Sequence, residues 1–253
     1  MFADGDLTRD RFLDGRLMIW QPKAGYRAAM DPVLLAACCP AEPGQAVLEL
    51  GCGAGVASLC LGWRVPGVRL VGLELQPDYA ALARRNAAEN GIAFEVHEGD
   101  LSRMPTELRA QSFDHVIANP PYFPPGSGTE ARDAGRERGQ REDTPLSEWI
   151  DQGFRRLHPG GWLSVIQNAD RLPEILSAIG SKGGATRVLP IAGRVGREAG
   201  RVIVQSRKGA RSPFRLLPPL VLHAAPEHSA DAEDLTEIAQ NLLRRGANLR
   251  LSP

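Results

Sequence analysis

The tetrapeptide Asn119-Pro120-Pro121-Tyr122 has the groups needed to hold a planar amine. The Asn119 side-chain oxygen and the Pro120 carbonyl can each accept a hydrogen bond from one NH2 group. Two consecutive prolines fix φ twice, so both acceptors are in place before a substrate arrives. The Tyr122 ring can stack on the flat system that carries the amine. Prolines after a strand are also common in turns, and the apolar run 113–118 predicts such a strand here.

A glycine-rich motif farther upstream strengthens the functional interpretation. The apolar run 47–50 leads into Gly51-Cys52-Gly53-Ala54-Gly55, and a helix is predicted from Val56 to Trp63. A strand, a glycine turn and a helix form the first unit of a doubly wound nucleotide-binding sheet, whose ligand lies outside the strand carboxyl ends. Glycine allows both the sharp turn and a close approach of the backbone to the ligand.

Three details of this unit favour S-adenosylmethionine over a dinucleotide. Val56 stands where a dinucleotide fingerprint has its third small residue. Glu49 precedes the glycines, where a carboxylate would repel a pyrophosphate but attract the ammonium of an amino acid. Glu74 follows the predicted strand 68–73 at the position of a ribose-hydroxyl ligand, although an acid there also suits a helix N-terminus.

A third strand end extends the pattern. The predicted strand 93–97 is followed closely by Asp100 and Leu101. The Asp100 carboxylate can accept a hydrogen bond from an adenine amino group, and the Leu101 backbone N–H can donate to a ring nitrogen. Together with Glu49, Glu74 and Asn119, these residues fall at four consecutive strand ends.

These motifs resemble the class I S-adenosylmethionine-dependent methyltransferases that carry Asn-Pro-Pro-Tyr, which modify exocyclic amines of bases or the amide of glutamine. The resemblance is strongest to the bacterial tRNA-valine adenine-N6 methyltransferase family, and it extends to both flanks. The flanking matches are 12–17, 21–22, 25–35, Arg132, Arg141 with Glu142, 145–146 and 219–223. The family's loop often ends in Arg-His, where this chain has Arg141-Glu142.

The resemblance implies a set of site residues. The cofactor-binding set is Glu49, Gly51, Cys52, Gly53, Gly55, Glu74, Leu75, Asp100, Leu101 and Asn119. The catalytic set is Asn119, Pro120, Pro121 and Tyr122, and the substrate-binding set is Tyr122, Phe123, Arg132, Arg141, Arg207 and Lys208. The cofactor is S-adenosylmethionine, and no metal is expected.

The order of elements predicts an α/β, Rossmann-like class I methyltransferase fold. We expect a mostly parallel seven-stranded sheet with a terminal antiparallel strand pair and helices on both faces. The chain 1–253 is expected to be a single methyltransferase domain, with 1–45 as a strand and helix extension packed on the core. The remaining predicted strands are 17–20, 162–167, 187–191 and 201–206. The remaining predicted helices are one that Asp31 caps, 77–90, 146–157 (ended by 158–161) and 173–182.

Composition bounds the class of protein. The 253 residues are 43% hydrophobic, which is compatible with an extensive core. The longest apolar run, 33–39, is far too short to span a bilayer, and the charged N-terminus lacks a signal-peptide pattern. Cysteines 38, 39, 52 and 60 form no C-x-x-C pair, and the histidines have no metal-ligand spacing. We therefore expect a cytoplasmic protein with free thiols, no membrane segment and no metal.

Charge distribution points to a polymeric partner. The net charge is zero, with 30 basic and 30 acidic residues. The stretch 194–215 nevertheless holds seven basic residues and one acid, and 126–141 contains four arginines directly after the amine motif. Such stretches are often solvated faces, but they also suit phosphate contacts. The expected partner is a structured RNA, with tRNA first, and no obligate protein partner is evident.

The expected chemistry is transfer of a methyl group to a base amine that has been splayed out of its fold. Asn119 and the Pro120 carbonyl would draw the amine toward tetrahedral geometry, so that positioning supplies most of the catalysis. Two other functions stay open. A release-factor glutamine methyltransferase presents the same chemistry to a side-chain amide but usually carries a helical domain before the glycine motif. A non-catalytic RNA-binding protein with this fold is disfavoured by the intact Glu49, Glu74, Asp100 and Asn119.

Overall fold

Eleven strands and seven α-helices occur in the described residues, 2–122, 144–225 and 234–251, of this computed structural model. The strands are β1 (Leu7–Phe12), β2 (Leu17–Pro22), β3 (Ala46–Leu50), β4 (Arg69–Glu74), β5 (Phe94–Glu98), β6 (Phe113–Ala118), β7 (Leu157–Asn168), β8 (Gly183–Ala192), β9 (Ala199–Lys208), β10 (Arg215–Leu216) and β11 (Leu220–Val221). The helices are α1 (Asp31–Cys38), α2 (Val56–Arg64), α3 (Pro77–Glu89), α4 (Thr106–Arg109), α5 (Leu146–Arg156), α6 (Leu172–Ile179) and α7 (Glu237–Leu243).

Nine of these strands form one sheet in the order β10-β8-β9-β7-β6-β3-β4-β5, with β11 also paired to β8. Strands β5, β4, β3, β6 and β7 are parallel, whereas β9 is antiparallel to both β7 and β8. The predicted fold is confirmed: seven strands form the body of the sheet with an antiparallel pair at one end. The two-residue strands β10 and β11 add to the edge strand β8. Strand β10 was not predicted, whereas β11 lies within the segment 219–223, which resembles the family's closing strand.

Apolar side chains cover both faces of the sheet. Ile166 and Ile203 pack with α1 and α2 in one core cluster, whereas their neighbours Val165 and Val204 pack with α5 and α6 in the other. This alternation follows from the two-residue period of a strand. The parallel strands, buried on both sides, are therefore held in one register between two layers of helices. Within the described residues no helix is long and apolar enough to cross a membrane.

The N-terminal strands form a separate hairpin that two asparagines fasten to α3. The sequence predicted a short edge strand at 17–20 and no strand before it, whereas β1 pairs with β2 in antiparallel register. Asn90 accepts from Met18 N at 2.9 Å and donates to Met18 O at 2.9 Å. Asn86 does the same with Trp20, at 2.8 and 3.0 Å, and also donates to Ala54 O in the glycine loop at 2.9 Å. Two side chains on one face of α3 thus make the backbone hydrogen bonds that a neighbouring strand would otherwise make with β2.

Three predicted boundaries are wrong, each for a local reason. The segment 158–161 does not form a break after α5, because β7 begins at Leu157 directly after the helix. Helix α6 stops at Ile179 rather than continuing to 182, since Gly180 has φ of 46°. Asp31 does not cap α1 with its side chain, because Met30 is the N-cap residue and the Asp31 carboxylate is bonded elsewhere.

Replacing Asn86 by alanine should destabilise the protein. Asn86 is fully buried, and its loss leaves the Trp20 and Ala54 backbone groups without partners. We expect the free energy of unfolding, measured by urea denaturation, to fall by about 2–3 kcal/mol. The matched control is Asn241→Ala, whose side-chain oxygen accepts from the exposed Arg245 at 3.0 Å, and it should cost less than about 0.5 kcal/mol. Equal, small losses in both variants would contradict this account of the hairpin.

Candidate active site

A cavity of about 620 Å³ lies at the carboxyl ends of the parallel strands. Leu50 pairs with Leu73 on one side and with Ala118 on the other, so the residues that follow these three strands lie at one level. The sheet order reverses between β3 and β6, which is where ligands bind in open α/β sheets. The cavity is lined by residues 23–29, 31, 32, 49, 51–54, 56, 57, 74–76, 79, 119–122, 144, 149 and 201.

The glycine loop is approached closely by two aromatic rings. Gly51, Gly53 and Gly55 have φ of 64°, 52° and 86°, which side-chain-bearing residues rarely adopt. A Cβ on Gly51 would come within 2.6 Å of the Trp149 ring, and one on Gly53 within 3.7 Å of the Tyr26 ring. Trp149 and Tyr26 were not predicted as site residues from the sequence. Their role depends on α5 and on the segment before α1 folding over the loop, which no local pattern reveals.

Two buried carboxylates stand on either side of the loop. Glu49 is 3% exposed, and its Oε2 accepts from Ser58 N at 3.0 Å and Ser58 Oγ at 2.5 Å. Glu74 accepts from Gly53 N at 2.8 Å and Gln76 N at 2.9 Å. Burial raises the pKa of Glu49 to about 8, with the Ser58 donors acting in the opposite sense. Burial also raises the pKa of Glu74 against its backbone donors. The cavity therefore holds acids that gain from a cationic partner.

The Asn-Pro-Pro-Tyr turn forms the wall opposite Glu74, and two tyrosines flank Asn119. The Asn119 Nδ2 atom lies 3.2 Å from the Tyr26 hydroxyl oxygen, and its Oδ1 lies 3.1 Å from the Tyr122 hydroxyl oxygen. Behind the turn, the buried Gln167 donates to the Pro120 carbonyl at 3.2 Å and to the Pro121 carbonyl at 3.1 Å. Gln167 thus holds the turn in place. The Pro121 carbonyl also accepts from Arg171 Nη1 at 3.4 Å, whereas the Pro120 carbonyl keeps a second lone pair among the described residues.

Tyr122 is held by an ion pair that the sequence did not predict. Its hydroxyl donates to Asp31 Oδ2, and Arg201 Nε lies 3.2 Å from the same oxygen. The Arg201 guanidinium also lies 4.5 Å from the centroid of the Tyr122 ring. Arg201 pairs with Asn168, the last residue of β7, at the end of the sheet where the cavity lies. This position brings Arg201 to Asp31, which is 170 residues away in sequence. Arg201 therefore covers one face of the ring that was predicted to stack on a substrate.

The other predicted cofactor residues fall into two groups. Cys52 and Leu75 line the cavity, where the Cys52 thiol is buried and Leu75 is 58% exposed. Asp100 and Leu101 do not line it. Asp100 accepts from Ser102 N at 2.7 Å and from Ser102 Oγ at 2.8 Å, and Leu101 is buried in the core. Their contact with an adenine stays a prediction.

The predicted basic contacts are divided between the two ends of the sheet. Arg207 pairs with Trp162, six residues along β9 from Arg201, which is about 20 Å at 3.3 Å per residue. Arg207 donates to Gly160 O at 2.8 Å and Lys208 to Leu157 O at 2.7 Å. Neither residue lines the cavity. Phe123, Arg132 and Arg141, with the rest of the 126–141 loop, lie outside the described residues.

Arg207 and Lys208 belong to a basic surface at the end of the sheet away from the cavity. Both Arg187 and Arg207 lie over Trp162, at 4.7 and 5.9 Å from the ring centroid, and Arg215 pairs with Arg187. Arg156 donates to the Arg109 carbonyl, next to the Leu157 carbonyl that Lys208 contacts. Burial lowers the pKa of Arg187 and Arg156, and neighbouring arginines lower both further. We call this set, Arg109, Arg156, Arg187, Arg207, Lys208 and Arg215, the distal basic surface.

The described residues contain no group of three His, Cys, Asp or Glu side chains that could hold a metal ion. Cys38, Cys39, Cys52 and Cys60 are buried free thiols, as predicted, and burial raises the pKa of Cys38 to about 12 and of Cys39 to about 11. The carboxylates described above instead accept hydrogen bonds from backbone, hydroxyl and guanidinium donors.

The sheet order and the site at its switch point define a class I methyltransferase, and comparison with known proteins gives the family. Residues 29–179 match the model of the methyltransferase small domain family. The chain belongs to this family, and it is an S-adenosylmethionine-dependent methyltransferase.

Individual relatives agree in class but differ in substrate. The chain is 30% identical over 233 residues to a tRNA1(Val) (adenine(37)-N6)-methyltransferase from Porphyromonas gingivalis, covering 87% of this chain and 90% of that protein. It is 35% identical over 130 residues to a release factor glutamine methyltransferase from Geobacter sulfurreducens, covering 47% and 44%. A crystal structure described as a predicted O-methyltransferase from Agrobacterium tumefaciens has a TM-score of 0.69 at 26% identity, covering 87% and 99%.

Binding of S-adenosylhomocysteine should release a proton from Glu49. Its raised pKa, about 8, leaves much of the residue protonated at pH 7, and a ligand ammonium beside it would favour the carboxylate. Affinity should therefore rise as the pH approaches 8, with proton release visible by calorimetry in buffers of different ionisation enthalpy. On binding the same ligand, Glu49→Gln should release up to one proton fewer than the wild-type protein. Identical proton release by the two proteins would contradict this role for Glu49.

Proposed function

We propose that this methyltransferase acts on the N6 amine of an adenine in a structured RNA, with tRNA as the substrate. This proposal rests on one observation: Asn119 and Pro120 line the same cavity as the buried acids Glu49 and Glu74. Two amine acceptors therefore stand next to a site suited to a cationic adenosyl ligand. The Porphyromonas relative, named for adenine N6 in a tRNA, supports the choice of substrate.

The cavity suits S-adenosylmethionine on several independent grounds. Gly51 and Gly53 line the cavity with backbone alone, so a ligand can approach the loop closely there. The Trp149 indole N–H is a buried donor with no partner among the described residues, and Trp149 lines the cavity. It offers a donor in addition to the acceptors Glu49 and Glu74. We assign Glu49 to the ligand ammonium and Glu74 to the ribose hydroxyls; the bound cofactor supplies an activated methyl group on sulfur.

Positioning of the amine is the task left to the protein. An adenine N6 lone pair is delocalised into the ring, so the nitrogen is a poor nucleophile. Asn119 Oδ1 and the free lone pair of the Pro120 carbonyl accept the two N–H groups and favour a tetrahedral nitrogen. Gln167 keeps the Pro120 carbonyl from turning away. Because the product nitrogen is cationic, it loses a proton readily and requires no strong base.

The distal basic surface supports a polymeric substrate. It collects six cations from different elements of a chain whose net charge is zero. Within the described parts of the chain, no carboxylate lies within salt-bridge distance of Arg109, Arg156, Arg207, Lys208 or Arg215. Phosphates would neutralise such a surface. The surface lies about 20 Å from Arg201 along β9, a distance that a folded RNA with one base in the cavity can span.

The second candidate is methylation of a glutamine side chain in a protein. The partial match to a release factor glutamine methyltransferase favours this alternative, and the acceptors at Asn119 and Pro120 would serve an amide as well as a base amine. That match covers less than half of either protein, whereas the tRNA methyltransferase match covers most of both. The RNA substrate is therefore preferred.

Asn119→Ala should stop methyl transfer without preventing cofactor binding. Its amide acts on the target amine, so the loss falls on the chemical step, and we expect kcat to drop by about 10³-fold or more. The dissociation constant for S-adenosylhomocysteine should stay within about tenfold of wild type. The control is Asn168→Ala, which ends β7 at the same edge of the sheet without lining the cavity. Near wild-type turnover of Asn119→Ala would show that the assigned role is wrong.

Reversing Arg207, Lys208 and Arg211 to glutamate should weaken binding of tRNA but not of a short single-stranded oligonucleotide. Arg211 is exposed, and the adjacent Ser212 carbonyl accepts from Ala185 N on β8, which places it beside the distal basic surface. We expect the tRNA dissociation constant to rise about tenfold or more, with a shallower dependence on salt. Affinity for S-adenosylhomocysteine should not change.

The matched control reverses three exposed arginines on other elements, Arg11, Arg245 and Arg250, with the same change in net charge. Equal weakening in both triple variants would indicate a general charge effect and not a binding surface. If free adenosine or a short glutamine peptide is methylated as efficiently as tRNA, the proposed substrate is wrong.

A further inference from the structure

The hydroxyl of Tyr122 has one hydrogen and two neighbouring acceptors. These are Asp31 Oδ2 and the oxygen of Asn119, which lies 3.1 Å away. A carboxylate is a much stronger acceptor than a neutral amide oxygen, so the hydrogen belongs to Asp31. Arg201 Nε contacts the same carboxylate oxygen at 3.2 Å and fixes the carboxylate in this position. Burial and the Asp31 charge raise the pKa of Tyr122, so the phenol keeps its hydrogen at neutral pH.

With its hydrogen committed to Asp31, the Tyr122 oxygen can only accept from Asn119. An amide oxygen and an amide nitrogen have nearly the same shape, and the hydrogen-bond network decides which one occupies each position. Turning the Asn119 amide by a half-rotation places its NH2 group against Tyr122 and its oxygen against the Tyr26 hydroxyl, 3.2 Å away. Burial and Asp31 also raise the pKa of Tyr26, so its hydroxyl is available to donate. The two tyrosine hydroxyl hydrogens and one hydrogen of the Asn119 NH2 group then each have an acceptor.

This orientation has a direct consequence for the amine site. The Tyr26 ring lies over Gly53 in the glycine loop, so the Asn119 oxygen is on the cofactor side of the cavity. A nitrogen that receives a methyl group directs its lone pair at the cofactor and its N–H groups at acceptors beside it. In the opposite orientation, an NH2 group of Asn119 would face the NH2 group of the substrate, and two donors would oppose each other.

We propose that Asp31 is a positioning residue that acts through Tyr122 to set the orientation of the Asn119 amide, with Tyr26 completing the chain. The inference rests on the proposed function, since the oriented oxygen serves to accept a hydrogen bond from the target amine. It also explains why an aspartate at the start of α1 is bonded to an aromatic hydroxyl and an arginine instead of capping its own helix.

The orientation can be measured without a substrate. In deuterated protein with protonated tyrosines and labelled asparagines, nuclear Overhauser effects report which ring lies next to the Asn119 NH2 protons. We expect the stronger effect to come from Tyr122, and Asp31→Asn should weaken it relative to the effect from Tyr26. A stronger effect from Tyr26 in the wild-type protein would overturn the proposal. Because no RNA is present, this result does not depend on the proposed substrate.

A double-mutant cycle on turnover tests the catalytic consequence. Asp31→Asn and Tyr122→Phe should each lower kcat by about 30-fold or more, with the S-adenosylhomocysteine dissociation constant within about threefold of wild type. The double variant should be no slower than Tyr122→Phe by more than about threefold, because Asp31 acts only through the hydroxyl. If Asp31 had only a structural role, the fold-losses in kcat of the two single variants would multiply in the double variant. That outcome would overturn the proposal.

Asp234→Asn is the matched control for this cycle. Its carboxylate also joins an arginine and a ring, Arg194 and His223, both at 2.6 Å, but it lies outside the cavity. Its turnover should equal that of wild type. Absence of turnover by wild-type protein on tRNA would count against the proposed substrate alone, because the measurement on the protein without substrate would still decide the orientation.

Discussion

The site depends on the shared register of three parallel strands. Because Leu50 pairs with both Leu73 and Ala118, the chain leaves β3, β4 and β6 at one level. Glu74 and Asn119 are then separated by the glycine loop, where Gly51 and Gly53 leave space because they carry no side chain. A shift of one residue in any of the three strands would turn each of these side chains to the opposite face of the sheet. The buried apolar faces that fix the register therefore also fix the chemistry.

The elements that carry local signals could be predicted from the sequence. Apolar runs gave the strands β3, β4 and β6, and the glycine turn followed by Val56 gave the first βα unit. The parts that could not be predicted depend on long-range pairing. Arg201 reaches Asp31 only because β9 inserts between β7 and β8, and β1 is defined by its partner β2 rather than by its own pattern. Asp31 looked like a helix cap since the sequence alone shows no competing partner.

The distribution of charge was predicted in sequence but not in space. The stretch 194–215 appeared as one basic cluster, yet β9 carries Arg201 to the catalytic edge and Arg207 to the opposite end. Cations from α4, α5 and β10 join Arg207 there, which no inspection of one segment could show. Conversely, Arg201 is engaged by Asp31 and the Tyr122 ring, so it contributes to the order of the amine site and not to a free basic face.

The central claim is that the oriented acceptors at Asn119 and Pro120 serve an adenine amine in RNA. The most direct test is to incubate the purified protein with unmodified tRNA transcripts and methyl-labelled S-adenosylmethionine, and then to analyse the digested nucleosides by mass spectrometry. The account predicts labelled N6-methyladenosine in wild-type reactions and none with Asn119→Ala. Label in any other nucleoside, or label found only in a glutamine side chain of an added release factor, would contradict it.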